Sequence, residues 1–161
     1  MDTRDFGNTL PTLFAELIDG ASQSEAYMLN RGDAGLLRSL DKLSATAASK
    51  LTPNGSSIAA HVDHLRYGLS LMNRWAAGEK PFDDADWSAS WHKTRVSAAE
   101  WKQRREELAD EARSWLEALR TSREIGQADL NSVVGSITHL AYHVGAIRQI
   151  DLSARGPSAE D

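Results

Sequence analysis

Hydrophobic residues recur at three- and four-residue intervals over most of the chain, which is the period of an amphipathic α-helix. Helix starts are predicted at Ser56 or Ser57, and at Ser97, which forms a Ser-x-x-Glu capping box with Glu100. No βαβ pattern and no internal repeat accompanies them, so the pattern predicts an all-α fold. The five predicted helices span about residues 8–20, 33–43, 57–77, 97–120 and 131–152.

Four of these helices fit a four-helix bundle, with the short segment 8–20 as an N-terminal helical addition. Between the second and third bundle helices, residues 78–96 lose the helical period but carry three large aromatic residues. This composition predicts a long, ordered crossover that packs over the bundle. The whole chain, 1–161, is predicted to be one domain, with its bundle core at about 33–152 and a flexible tail at 153–161.

The last predicted helix is unusual because it has no Asp, Glu, Lys or Arg from Asn131 to Ile147. A helix without charge on any face is normally enclosed on more than one side. We therefore expect this helix to be central in the bundle, or to present half of its surface to a second subunit.

Composition and charge narrow the class of protein. A hydrophobic fraction of 41% with 25% charged residues is ordinary for a globular domain, and no apolar run approaches the roughly 20 residues that span a bilayer. The acidic N-terminus does not resemble a secretory signal, so a cytoplasmic protein without a membrane partner is predicted. A net charge of −5, without a basic run that contains aromatic residues, disfavours nucleic acid as a partner.

The chain has no cysteine. This excludes a disulfide framework, zinc held by thiolates, an iron–sulfur cluster and a thiol nucleophile. Any transition metal must therefore be held by nitrogen and oxygen atoms, and any reactive sulfur must come from another molecule.

Four of the five histidines form two close pairs in predicted buried helices, His61 with His64 and His139 with His143. Residues four apart share a helix face, with Cβ atoms roughly 6 Å apart, so both imidazoles of the second pair can bind one ion. Three neutral imidazoles suit Zn²⁺, Ni²⁺ or Fe²⁺ and leave a coordination position open. A single pair of this spacing also occurs by chance, and histidines that only hydrogen-bond inside a subunit interface are the alternative. His92 is predicted to lie on the surface.

Two segments resemble the DinB/YfiT-like superfamily of metal-dependent enzymes. Residues 57–65 are similar to the family segment in which a serine starts a helix and a histidine follows several residues later. Residues 139–147 are similar to the family's C-terminal motif H-x-x-Y-H-x-G-Q-I. Ala146 stands where glutamine is common in that motif. The resemblance covers about residues 33–152. It implies a helical bundle of unusual connectivity, frequent dimers, a divalent metal and, for some relatives, S-transfer with a low-molecular-weight thiol.

The resemblance places His64, His139 and His143 on the three metal-ligand positions. A helical wheel alone favours His61 over His64, because His61 lies closer to the centre of the apolar stripe of its helix. The side that His64 occupies is also apolar, so this helix is predicted to have two buried faces. His64 is kept as the ligand, and His61 is expected beside the site as a supporting or catalytic residue.

Two chemistries are open to such a site. A water molecule with a lowered pKa would make the protein a hydrolase, and a low-molecular-weight thiol bound as thiolate would make it an S-transferase. The rival prediction is a non-catalytic helical homodimer with a structural metal. A small-molecule substrate and a homodimer are the predicted partners. Beyond the metal ligands, the candidate site residues are His61 and Tyr142 as catalytic groups, Trp87 and Trp91 as pocket walls, and Arg148 as an anion anchor or an ordinary ion-pair partner.

Overall fold

The computed structural model describes residues 3–158, and within that range it confirms an all-α fold. Single turns of 3-10 helix lie at Ala89–Trp91 and Leu152–Ala154. None of the helices in this part of the chain is long and apolar enough to cross a lipid bilayer. The α-helices are α1 (Thr3–Asp19), α2 (Gly35–Asp41), α3 (Ala45–Ala48), α4 (Ile58–Ala76), α5 (Ala98–Arg120) and α6 (Gln127–Ile150).

The four long helices form a closed ring, in which α4 and α1 each pack against both α5 and α6. The predicted four-helix bundle is confirmed, and the crossover lies between its second and third helices. The structure differs from the expectation at the N-terminus, where α1 is not a short addition. It is 17 residues long, continues through Pro11, and contributes fully buried core residues. It takes the fourth place in the bundle because α2 has only seven residues.

Helix α4 is buried on two faces, as its sequence predicts. The Ser57 hydroxyl caps its first turn by accepting a hydrogen bond from the backbone N–H of Ala60. One face joins the hydrophobic core, and a second buried face carries His61 and His64. The core face is formed by Ile58, Val62, Leu65, Leu69 and Met72. This helix therefore supplies both the interior of the bundle and part of the candidate site.

Helix α5 begins at the predicted capping box, in which Ser97 and Glu100 exchange side-chain and backbone hydrogen bonds. The residues that repeat every seven positions, Trp101, Leu108 and Trp115, are all buried. The indole N–H of Trp101 donates to the carbonyl oxygen of Leu43 at 2.7 Å. The bond ties α5 to the segment that follows α2.

Helix α6 starts four residues earlier than predicted and leaves one side exposed. Its inner positions, which include Ile137, Leu140 and Val144, belong to the core. Its outer side is uncharged and exposes Thr138, Tyr142 and Gly145, among others. Within one chain the helix is therefore not central, and contact of this side with a second subunit stays a prediction.

The end of α6 is joined to the connection between α1 and α2 by a buried ion pair. An Arg148 guanidinium nitrogen lies 2.7 Å from an Asp33 carboxylate oxygen, and the Asp33 side chain is 1% exposed. The same carboxylate oxygen accepts the backbone N–H of Gly35 at 2.8 Å. A Cβ at Gly156 would lie only 1.8 Å from the other Asp33 oxygen, so only glycine fits there. Asp33 thus connects the α1–α2 connection to the end of α6 and lies close to Gly156.

Part of the segment expected as a flexible tail packs against the bundle. Ala154 is fully buried, and the Asn30 side-chain amide donates to the carbonyl oxygen of Pro157 at 2.7 Å. Residues 159–161 of that segment lie outside the described residues.

Candidate metal centre

Four histidines from α4 and α6 meet in one buried cluster. The Nε2 atom of His139 lies 3.0 Å from Nε2 of His64 and 3.0 Å from Nε2 of His143. One ring nitrogen from each of these three residues lies within 4.8 Å of the other two. They are the three residues that the sequence analysis predicts as metal ligands, and the fold brings them together.

The spacing of the three nitrogens fits a divalent cation. Imidazole nitrogens bind zinc at about 2.0–2.1 Å, so two nitrogens on one tetrahedral ion lie about 3.4 Å apart. The two 3.0 Å separations at His139 are close to this value. Three nitrogen donors without a thiolate suit Zn²⁺, Ni²⁺ or Fe²⁺. The donor set therefore fits the metal that the sequence analysis predicts.

Ser90 fixes the protonation of His64. The Ser90 hydroxyl donates to the carbonyl oxygen of Trp87 at 2.7 Å, so its oxygen is left to accept a bond from Nδ1 of His64, 2.8 Å away. A neutral imidazole with its proton on Nδ1 has a lone pair on Nε2. His64 therefore presents a metal-binding lone pair to the cluster.

His61 contacts Nδ1 of His143, as Ser90 contacts Nδ1 of His64. The Nδ1 atoms of His61 and His143 are 2.8 Å apart, so one of the two must donate to the other. If Nδ1 of His143 donates, its Nε2 keeps a lone pair that faces His139, whereas the opposite arrangement puts a proton there. A hydrogen bond to the second ring nitrogen is the usual way in which a protein orients a histidine ligand. His61 is suited to be the acceptor in this pair.

The surroundings keep these imidazoles neutral. Burial, together with the nearby His139, His61 and His64, lowers the pKa of His143 to about 3. Burial also lowers the pKa of His64 to about 4, helped by His139 and His61 and opposed by Asp63. The pKa values of His61 and His139 are lowered by burial as well. All four rings are therefore uncharged at neutral pH, as metal ligands must be.

Aromatic residues of the crossover cover the histidines. The Trp91 ring stacks on His64, with centroids 4.3 Å apart and planes 25° apart, and meets His61 edge-on at 5.1 Å. The Trp87 ring lies 5.7 Å from His64. The crossover thus shields one side of the cluster from solvent.

A cavity of about 410 Å³ lies beside the histidines, between α4 and α6 and beneath the crossover. His64 and His139 form part of its wall, so two of the three converging nitrogens belong to residues that border it. Its size is within the range of small-molecule sites. The lining residues are His64, Leu65, Gly68, Leu69, Met72, Phe82, Trp87, Ser132, Gly135, Ser136, His139 and Leu140.

The other candidate residues lie at different distances from the cluster. Trp87 lines the cavity, whereas Trp91 packs on the histidine rings. Tyr142 is 71% exposed, with its ring centroid 5.0 Å from that of His143, and its catalytic role stays a prediction. Arg148 is engaged with Asp33. His92 is exposed, as expected.

Ser90 and Phe82 also belong to the site, although their sequence context does not predict it. Both lie in the crossover, where no periodic pattern assigns a direction to a side chain. The spacing Trp87-x-x-Ser90-Trp91 is the only local signal, because a 3-10 turn brings residues three apart onto one side.

The sequence profile of the DinB superfamily matches residues 28–147. This range is more than half of the 161-residue chain and includes all four clustered histidines. No curated protein and no solved structure matches the chain.

Proposed function

Because this chain belongs to the DinB superfamily, and because its fold gathers three histidine nitrogens at one point, we propose that it is a metal-dependent enzyme acting on a small molecule. His64, His139 and His143 would hold a divalent cation, Zn²⁺, Ni²⁺ or Fe²⁺. The observation that carries the proposal is the approach of the three Nε2 atoms to one another beside a cavity that two of the three histidines, His64 and His139, border. A structural metal site is closed by four protein ligands, and this cluster offers three that converge.

A divalent cation held by three imidazoles supplies a Lewis acid with an open position, which lowers the pKa of a water molecule or of a low-molecular-weight thiol. The residues of the chain orient the ligands and restrict water. Ser90 fixes the ring of His64, and His61 faces the ring of His143. Trp91 covers the cluster. Since the chain has no cysteine, the sulfur of any S-transfer would come from a separate thiol.

We expect turnover of a neutral aromatic electrophile to depend on the metal. 4-Nitrophenyl acetate tests hydrolysis, and 1-chloro-2,4-dinitrobenzene with an added thiol such as glutathione or cysteine tests S-transfer. Chelation should reduce the rate to background, and metal should restore it. The same assays on His92→Ala serve as the control, because His92 is exposed and outside the cluster.

The two substrates separate the two chemistries. Product formed with water alone indicates a hydrolase, and product that requires the thiol indicates an S-transferase. A protein that loses stability on chelation, but turns over neither substrate when loaded, would support the rival non-catalytic protein with a structural metal.

His61 and His64 are expected to respond differently to substitution. His61→Leu removes the group that faces Nδ1 of His143 and should weaken metal binding about 10–100-fold, the usual effect of losing such a partner. His61→Asn keeps an oxygen acceptor near the same place and should retain most of the affinity. Titration with zinc against a competing chelator measures both.

The matched variant is His64→Asn, which is expected to lose stoichiometric zinc. Equal affinity of His61→Asn and His64→Asn would contradict the assignment of His64 as the ligand. A loss of zinc only in His61→Asn would make His61 the ligand instead.

The proposal includes a homodimer in which the exposed side of α6 faces a second copy of the chain. From Asn131 to Ile147 the helix has no charged residue, so two such sides can approach without like charges meeting. Light scattering on the samples used for the metal titration gives the molar mass.

A further inference from the structure

We propose that the cavity beside the histidine cluster binds a neutral, apolar group of the substrate, such as an aryl or branched alkyl group, and excludes anionic groups. This inference rests on the proposed function, since it assigns a substrate class to that site.

The cavity wall carries no Asp, Glu, Lys or Arg among its twelve described lining residues. Its two titratable side chains, His64 and His139, lie at the end next to the converging nitrogens. Away from the histidines, a carboxylate or phosphate in this space would meet no cationic side chain, and an unpaired charge in an apolar site is costly. The walls therefore select against charge.

The two serines on the wall have their hydroxyl protons engaged elsewhere. Ser136 donates to the carbonyl oxygen of Val133 at 2.7 Å and accepts the indole N–H of Trp115 at 3.0 Å. Ser132 donates to the carbonyl oxygen of Ala128 at 3.2 Å. Both hydroxyl protons are already engaged, so the serines offer no hydrogen-bond donor to an anion in this space.

Glycines provide the room for the apolar group. A Cβ at Gly135 would meet no atom within 4 Å, so this position of α6 faces open space. At Gly68 of α4, a Cβ would lie 3.4 Å from Cζ3 of Trp87. The six-membered ring of Trp87 thus packs over Gly68, and Leu69 and Met72 of α4 also line the cavity. Flat aromatic and flexible apolar side chains suit an apolar guest.

The position of the cavity connects this guest to the chemistry. His64 and His139 line it, and each contributes a nitrogen to the converging set. A molecule whose apolar group fills the cavity therefore places the adjoining part of its structure next to the histidines. In this proposal the cavity selects the substrate, and the histidine cluster carries the chemistry.

Two dyes with the same ring skeleton test the charge selectivity. N-phenyl-1-naphthylamine is neutral, and 1-anilinonaphthalene-8-sulfonate is the same molecule with a sulfonate. Both increase in fluorescence on entering an apolar site. We expect the neutral dye to bind the protein at least about tenfold more tightly, because the wall offers contact area but no cationic side chain. Equal or tighter binding of the sulfonate would overturn the proposal.

A pair of variants at helical glycines tests the location. Gly135→Leu places a side chain in the cavity and should weaken the neutral dye at least about tenfold. Gly7→Leu is the matched control, because Gly7 of α1 is also helical with open space around its Cβ but lies outside the cavity lining and away from the exposed side of α6. It should leave dye binding unchanged. Unaltered binding in Gly135→Leu, or an equal loss in both variants, would contradict the assignment.

Metal content measured on the same three proteins separates this inference from the proposed function. Gly135→Leu leaves all four histidines in place, so its zinc content should equal that of the unaltered chain. Loss of dye binding with zinc retained supports the cavity assignment. Zinc retained with dye binding unaffected overturns the cavity assignment alone. Absence of stoichiometric zinc in the unaltered protein would count against the proposed function, while the dye results would still test the cavity.

Discussion

Replacing His139 by alanine is expected to reduce the bound divalent metal from a stoichiometric amount to background. His139 is the centre of the cluster, since its Nε2 atom lies 3.0 Å from Nε2 of both His64 and His143. A zinc site has about 10–16 kcal/mol of binding free energy, so one of three imidazoles accounts for several kcal/mol, at least about a hundredfold in the dissociation constant. Elemental analysis after dialysis measures the remaining metal.

His92→Ala is the control for that measurement, because it removes the one histidine outside the cluster. It should retain the full metal content. His139 is only half-buried, so its alanine variant should keep the helical circular dichroism spectrum of the unaltered chain. Equal metal in the two variants, with both folded, would refute the three-histidine centre.

Replacing Arg148 by methionine is expected to lower the free energy of unfolding by about 3–5 kcal/mol, because it leaves the buried Asp33 carboxylate without its cation. The Asp33 side chain is 1% exposed and that of Arg148 is 16% exposed, so water cannot replace the lost partner. Methionine keeps most of the apolar length of arginine, which limits the loss of packing. Urea unfolding followed by circular dichroism measures the change.

Arg120→Met provides the matched control, since it removes an ion pair with Glu117 in which both side chains are more than half exposed. Such a pair contributes about 0–1 kcal/mol. Adding Asp33→Asn to Arg148→Met should recover part of the loss, because it removes the uncompensated charge. Similar losses in Arg148→Met and Arg120→Met would show that the buried pair has no special importance.

The sequence predicts α4 and α5 well because each has both a regular apolar stripe and a capping serine. Ser57 and Ser97 mark the two helix starts, and the stripes that follow them are buried. The place of α1 in the bundle was not predictable in the same way. Pro11 reads as a first-turn residue, yet the helix extends on both sides of it. Tertiary packing of residues such as Phe14 outweighs the local signal there.

In the candidate site too, the residues on periodic helices are easier to predict than those on the irregular crossover. Spacing alone places His139 and His143 together. A helical wheel favours His61 over His64, whereas the converging set contains His64, because α4 is buried on two faces. The motif also places Tyr142 next to His143, although one residue along a helix is about a quarter of a turn. Tyr142 consequently faces outwards and is 71% exposed. The roles of Ser90 and Phe82 depend on the path of the crossover, which no repeat encodes.

The crossover gives this protein a way to evolve new specificity at little risk to its fold. Phe82 and Trp87 are each 41% exposed and do not belong to the hydrophobic core, yet both border the cavity. Mutations at these two positions would reshape what the cavity admits, whereas mutations of α4 would disturb the core as well. Divergence among descendants of this chain should therefore concentrate in 78–96, on an inherited scaffold that changes slowly.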